Sequence, residues 1–405
     1  MSIIENSILT AILGDCMGIP CEFPKKLVSI DDTDSILSSY KKRIGGRYFP
    51  TILNCQKGSY SDDTQMMLMT LRSLQCKDFV GAMITELKAF MAYECGSGRA
   101  TKASCKAWEK DTYPWHIVDG YYNFGGNGVV MRVLPHAFQE DSIDTIMTDV
   151  FLNGILTHGS PVALVGAQLY VYYIWCKINN YPSNIVESRT IWSKLHDTQV
   201  EDYPLIKSWW DAIPDKSGYI HEWSEVSWKL IDLYKNVSRD YATVLSEVPV
   251  CGSEKGAGSW CSIGAIILSE CKDIDPISLM KRVATLEDAD TDTLGCILGG
   301  ILGINGGVSE RLFDDIKDID YIYSEIEFFQ KSRHCIDVDF LTKKGLKDKI
   351  RKLNVGDSIF VSPFGKVTLV EIEELESLSD SVRSYLYKYT TQIGQTLTAL
   401  QFRKC

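Results

Sequence analysis

The chain has 405 residues, 45% of them hydrophobic and 11% aromatic, so it exceeds the usual single-domain size and has ample side chains for a core. Its formal net charge of −11 argues against nonspecific binding to nucleic acid or to an anionic membrane surface. Any anionic ligand must be held locally, by backbone amides, a metal or single basic residues.

In chain order, the opening MSIIENSILTAILGD carries Glu5 and no basic segment, so it does not read as a secretory signal, and its apolar spacing predicts a helix over 3–17. GDCMGIPCEF (14–23) sets Gly14 and Gly18 one turn apart, which lets another backbone approach, with Asp15 and Glu22 close by. In YSDDTQMMLMTL (60–71) two adjacent acids precede a run of Met and Leu, and helices are predicted over 66–74 and 79–93. Further helical spacing covers 142–156, 163–178, 223–236, 263–268 and 294–303, while alternating strand patterns are nearly absent before about residue 330. The Gly-rich stretches GSGRA (96–100), FGGNG (124–128) and GSEKGAGS (252–259) read as loops. The Trp-rich stretch 180–250 is irregular and reads as a peripheral insertion.

The texture then changes. VGDSIFVSPFGKVTLVEIEEL (355–375) alternates around a Pro-Phe-Gly turn and predicts a β-hairpin, and 379–400 returns to helical or mixed spacing. The fold expected is an all-α domain over 1–329 followed by a small α+β appendage over 330–405. Thirteen Cys, with no CxxC pair and no Cys/His cluster at zinc spacing, read as free thiols of a cytoplasmic protein. The longest apolar stretches, 162–176 and 295–304, are too short to span a bilayer, so no membrane partner is expected.

The acids are the informative part. A helix cap accounts for one of the pair Asp62 and Asp63, since Ser and Asp accept hydrogen bonds from a first turn; the second acid is left over. LEDADTDTLGCILGGILG (286–303) repeats the arrangement, with acids and Thr directly before an apolar helix. An EF-hand reading of Asp288, Asp290 and Asp292 fails, because its sixth and twelfth positions are Thr293 and Gly299 rather than Gly and Glu. Two clusters of hydroxyls and carboxylates supply hard oxygen donors, which suit Mg²⁺, Mn²⁺ or Ca²⁺ rather than zinc or copper. GGNGVVMRVLP (125–135), with its single Arg132, reads either as an Asn-Gly turn or as amides that cradle a phosphate. From position alone, His158 in THGS (157–160) reads as a cap or a core hydrogen-bond partner.

Taken in this order, GDCMGIPCEF, YSDDTQM, GNGVVMR, THGSP and DADTDTLGCILGGILG resemble the ADP-ribosylglycohydrolase family over 14–303. The resemblance implies an all-α fold with two Mg²⁺ ions, or Mn²⁺, in a cleft. Ser61, Asp62 and Asp63 would be metal ligands from one side, and Asp290, Asp292 and Thr293 from the other. Asp62, Asp63 and Asp292 would activate water, with Glu22 positioning the acceptor or transferring a proton. Gly126, Asn127 and Gly128 would hold the diphosphate, with Gly96, Gly98 and His158 also on the ADP-ribose side.

The implied reaction removes ADP-ribose from a modified protein, with arginine as the acceptor and ADP-ribose as the product. ADP-ribosyl-serine, O-acyl-ADP-ribose, modified nucleic acid, or a catalytically silent ADP-ribose-binding role are the alternatives. Two departures from the family pattern stand out. Ser61 replaces the usual Thr, which keeps a hydroxyl, and Asp288 and Ala289 replace two Gly, which adds a negative charge near the site. The stretch after about residue 330 has no counterpart in the resemblance.

Overall fold

The computed structural model describes residues 1–22, 28–30, 36–181, 203–306, 308–331, 349–350 and 352–405. The helices are α1 (Ile3–Glu22), α2 (Asp62–Ser73), α3 (Phe79–Phe90), α4 (Arg99–Trp108), α5 (Pro114–Ile117), α6 (Ile143–Ile155) and α7 (Pro161–Ile178). They continue with α8 (Pro204–Asp211), α9 (Lys216–Asn236), α10 (Tyr241–Glu247), α11 (Gly258–Ser269), α12 (Pro276–Ala284), α13 (Thr291–Ile304) and α14 (Ile319–Lys331). The strands are β1 (Val28–Ile30), β2 (Tyr40–Ile44), β3 (Thr51–Cys55), β4 (Ser358–Val361), β5 (Gly365–Leu375), β6 (Val382–Thr391) and β7 (Thr396–Lys404).

At the centre α1 and α13 lie antiparallel with their backbones in contact. A Cβ on Gly14 would sit 2.0 Å from the Gly295 carbonyl oxygen, and one on Gly18 would sit 2.2 Å from that of Thr291. The facing positions repeat the rule: Gly299 meets the Thr10 carbonyl at 2.3 Å and Gly303 that of Asn6 at 2.5 Å. Two hydroxyls lock the contact, Ser7 donating to the Gly300 carbonyl at 2.6 Å and Thr291 to that of Gly18 at 2.8 Å. The approach anticipated from the spacing of Gly14 and Gly18 is therefore made. Helix α1 has the length and composition of a membrane span, yet every residue from Ser7 to Pro20 is buried inside the protein.

Three expectations change. The segment before α2 contains a three-stranded antiparallel sheet, β1-β2-β3, although no strand was read there. Its strands have at most five residues, and in β2 (YKKRI) the buried Lys42 stands between Tyr40 and Ile44 on the inward face, so no apolar alternation shows. The 379–400 stretch, read as helical or mixed, forms β6 and β7 of a second antiparallel sheet, β4-β5-β6-β7. In VRSYLYKYTT the Ser384, Leu386 and Tyr389 side chains are buried, and cross-strand packing decides in favour of the extended form. The 180–250 stretch, read as irregular apart from the helix expected over 223–236 that α9 contains, also holds α8 and α10, with Trp209 and Trp223 buried; residues 182–202 lie outside the described residues.

The C-terminal sheet packs into the helical core. Phe364 lies 5.2 Å beneath the Arg72 guanidinium and edge-on to Tyr93. Arg72, buried at the end of α2, is held in a fork by Glu86 at 2.6 and 2.9 Å and donates to Gln395 at 3.0 Å. The sheet also joins the first one: the Ile52 amide donates to the Glu376 carbonyl and the Leu378 amide to that of Pro50, both at 2.9 Å.

Because no Cβ fits between α1 and α13, Gly18→Ala is expected to destabilise the fold by about 1–3 kcal/mol, read from the urea midpoint. Gly126→Ala, whose Cβ would come no nearer than 3.6 Å to any neighbour, serves as the control and should stay within about 0.5 kcal/mol. Equal midpoints for the two variants would contradict the contact.

Candidate active site

The antiparallel contact sets the C-terminal end of α1 beside the N-terminal end of α13. It thereby brings Glu22 to Asp290 and Asp292, whose carboxylate oxygens all lie within 4.8 Å of one another. Helix α2 begins against the same point, presenting Ser61, Asp62 and Asp63. Glu22, Ser61, Asp62, Asp63, Asp290, Asp292 and Thr293 line one cleft of about 710 Å³, together with Gly96, Gly98, Gly126, Asn127, Gly128 and His158. All the residues singled out for the site from sequence are thus in one cavity.

Asp15 shapes this centre from beneath. It is wholly buried, and its carboxylate accepts from the Ser61 amide at 3.1 Å, the Thr64 amide at 3.1 Å and the Thr64 hydroxyl at 2.6 Å. Those bonds take up donors that a helix start leaves over and fix where Asp62 and Asp63 point. Ser61 completes the cap by accepting from the Asp63 amide at 3.0 Å. The capping work thus falls to Asp15 and Ser61, and the Asp63 Oδ2 atom is buried without a hydrogen-bond partner. Sequence reasoning noted Asp15 but gave it no role in the site.

The cluster is electrostatically loaded. Burial first, and then neighbouring carboxylates, push Asp62, Asp63 and Asp292 well above the ordinary aspartate range. Glu22 is raised to about 7, by burial and then by Asp290. Two attachments orient individual acids. The Asn127 side chain donates to Asp290 at 3.1 Å, and the Thr293 amide donates to Asp292 at 2.9 Å.

The Gly-rich loop forms the facing wall. Its Asn127 amide donates to the Gly256 carbonyl at 2.9 Å and its Gly125 carbonyl accepts from Gly258 at 3.0 Å, so the 252–259 loop braces it. Arg132 does not face the cleft. It is fully buried, donating to Gly128 at 3.0 Å and twice to Asn153 at 2.8 Å, and so pins the loop from behind. His158 lies under the loop, where a Cβ on Gly128 would come within 3.0 Å of its ring. Burial lowers its pKa to about 3, so it is neutral, with Nδ1 2.8 Å from the Thr157 hydroxyl. Gly96 has a φ of +110° and abuts the Asp62 carboxylate, and Gly98 starts α4 at the cleft edge.

Asp288 resolves one of the two departures. It has a φ of +54°, a left-handed conformation that Gly adopts freely and Asp tolerates. Its carboxylate is exposed and pairs with Lys255 at 3.2 Å, so the added charge is matched outside the acid cluster. Lys42 on β2 and Leu386, Leu400 and Phe402 of the C-terminal sheet also line the cleft. No sequence signal marked them.

The loaded cluster has a measurable consequence. With metal chelated, acids whose pKa is raised by folding favour the folded state when protonated. That contribution is complete below their unfolded values and lost as pH rises through the folded ones, which for Glu22 means up to about 7. Thermal midpoints in EDTA should therefore fall as pH is raised from about 5 to about 8. Asp63→Asn should flatten that slope and raise the midpoint at the alkaline end, and an unchanged slope would contradict the crowding.

The pattern of the ADP-ribosylglycohydrolase family matches residues 3–326. The ADP-ribosylhydrolase ARH1 of Dictyostelium discoideum is 22% identical over 197 residues, 45% of this chain and 50% of that protein. The chain therefore spans about half the length of the curated relative it matches. A solved ADP-ribosylglycohydrolase-related protein complex shares the fold, with a TM-score of 0.51 at 14% identity, over 82% of this chain and 98% of the other. With the family pattern running from the first turn of α1 into α14, this chain belongs to the ADP-ribosylglycohydrolase family.

Proposed function

We propose that the protein hydrolyses the glycosidic bond between ADP-ribose and a modified protein side chain, with arginine as the acceptor, and that it does so with two Mg²⁺ or Mn²⁺ ions. The observation that carries this reading is the convergence of Glu22, Asp62, Asp63, Asp290 and Asp292 in one cleft beneath a Gly-rich loop. The donor set fits hard divalent cations. It is all oxygen, several members are buried and mutually repelling, and Asp63 Oδ2 is left without a partner. Ser61, Asp62 and Asp63 would hold the ions from α2, and Asp290, Asp292 and Thr293 from α13. Bound there, such ions supply Lewis acidity toward ribose hydroxyls and a lowered pKa for water.

The chain's own groups do the rest. The carboxylates set a negative field where breaking a glycosidic bond develops oxocarbenium-like charge. Glu22, at the open end of α1 and raised to about 7, is poised to take up or deliver a proton near neutrality. Asn127 steadies Asp290, and Asp15 holds the α2 acids in place. The 125–128 loop and the start of α4 offer amides to a diphosphate, which a protein of net charge −11 must hold locally. Arginine rests on the form of GDCMGIPCEF, and retention of the full acid set favours an enzyme over a silent reader.

Release of ADP-ribose from mono-ADP-ribosylated arginine and serine peptides tests this reading. Mg²⁺-dependent release from the arginine peptide is expected, abolished by EDTA and reduced by on the order of a thousandfold in Asp292→Ala. Unchanged turnover in that variant would remove the acid cluster from the reaction, and release from serine alone would replace the acceptor.

A further inference from the structure

The cleft has a wall that the family pattern does not reach. That pattern ends at residue 326, yet Leu386 of β6 and Thr398, Leu400 and Phe402 of β7 line the same cavity as the acids. Residues 398, 400 and 402 alternate along β7 and so share one face of the strand. That face is built rather than incidental. Leu386 packs with Leu53 and Leu375, with Ile44 and Leu400 against them. Phe402 stacks on Phe49 with ring centroids 5.4 Å apart, and its ring lies 3.1 Å from where a Cβ on Gly45 would be. Within this wall the charged cleft residue is Lys42, near Glu22. β7 is also the edge strand of its sheet, with β6 as its neighbour among the described strands.

We propose that this face of β6 and β7, with Ile44 and Leu53, is the acceptor-side wall of the cleft. It holds an extended, apolar-flanked polypeptide segment that carries the ADP-ribosyl group. The inference rests on the hydrolase reading for what occupies the acid end of the cleft. The Gly loop and the α4 start serve the anionic end of the ligand, whereas the sheet offers apolar side chains and, among the described strands, an edge at β7. Among the described residues a basic flank finds no acidic partner on that wall, the wall's cation Lys42 is already beside Glu22, and nucleic acid is disfavoured by the protein's charge of −11.

The test uses the full chain and measures binding in EDTA, which prevents turnover. The ligands are ADP-ribose, an ADP-ribosylated arginine peptide with Leu and Phe beside the modified residue, one with Asp and Ser there, and an ADP-ribosylated oligonucleotide. Wild type should bind the apolar-flanked peptide about tenfold more tightly than the acidic one. Phe402→Ser should bring the two peptides level while leaving ADP-ribose affinity unchanged. Thr398→Lys, which adds a cation to the wall without removing a packed side chain, should do the same. Equal affinities in wild type, variants that weaken all ligands alike, or tightest binding of the oligonucleotide would overturn the proposal. Turnover separates it from the reading beneath it. Discrimination without Mg²⁺-dependent release keeps the wall and removes the hydrolase, whereas release without discrimination removes the wall alone.

Discussion

The close contact of α1 with α13 is the constraint on which the rest depends. Two helices meet with a backbone carbonyl where a side chain would ordinarily stand, at Gly14, Gly18, Gly295, Gly299 and Gly303. Because the pair is antiparallel, the end of one helix and the start of the other coincide, and the acids at those ends share one place. A methyl group at any of these positions would push the axes apart and separate Glu22 from Asp290 and Asp292. The glycines thus act on the chemistry from within the core, through distance alone.

What that geometry creates is a concentration of negative charge that the fold by itself opposes. Several carboxylates are buried together, and each raises the others' affinity for protons. The N-terminal ends of α2 and α13 offset part of this, since their free amides favour anions. Asp15 is the exception among the acids, because it is saturated with hydrogen bonds and acts as a structural post. The remaining acids keep unused acceptor capacity, most plainly at Asp63 Oδ2. A site that tolerates such crowding makes physical sense where cations are bound.

Much of this was legible in the sequence, for identifiable reasons. Long helices announce themselves by apolar spacing, and the Gly14 and Gly18 interval announced a backbone neighbour without saying which. The pair Asp62 and Asp63 was conspicuous because capping explains only one acid; the structure shows Ser61 and Asp15 doing the capping. Less could be read where the outcome depends on distant partners. Short strands with Lys and Arg carry little period, and Tyr-rich 382–391 suits either helix or strand until its neighbours decide. The role of Arg132 behind the loop could not be read from the sequence, because its partner Asn153 lies 21 residues further along the chain. The effect of Asp288 depended on a positive φ and on Lys255, neither of which spacing reveals.

The central claim is that the acids at the starts of α2 and α13 form a divalent-metal centre, and anomalous scattering from crystals soaked in Mn²⁺ tests it most directly. The account predicts two peaks within the cluster, bounded by Asp62, Asp63, Asp290 and Asp292, and their loss in Asp292→Ala. Mn²⁺ bound elsewhere, or no peak between these carboxylates, would contradict it.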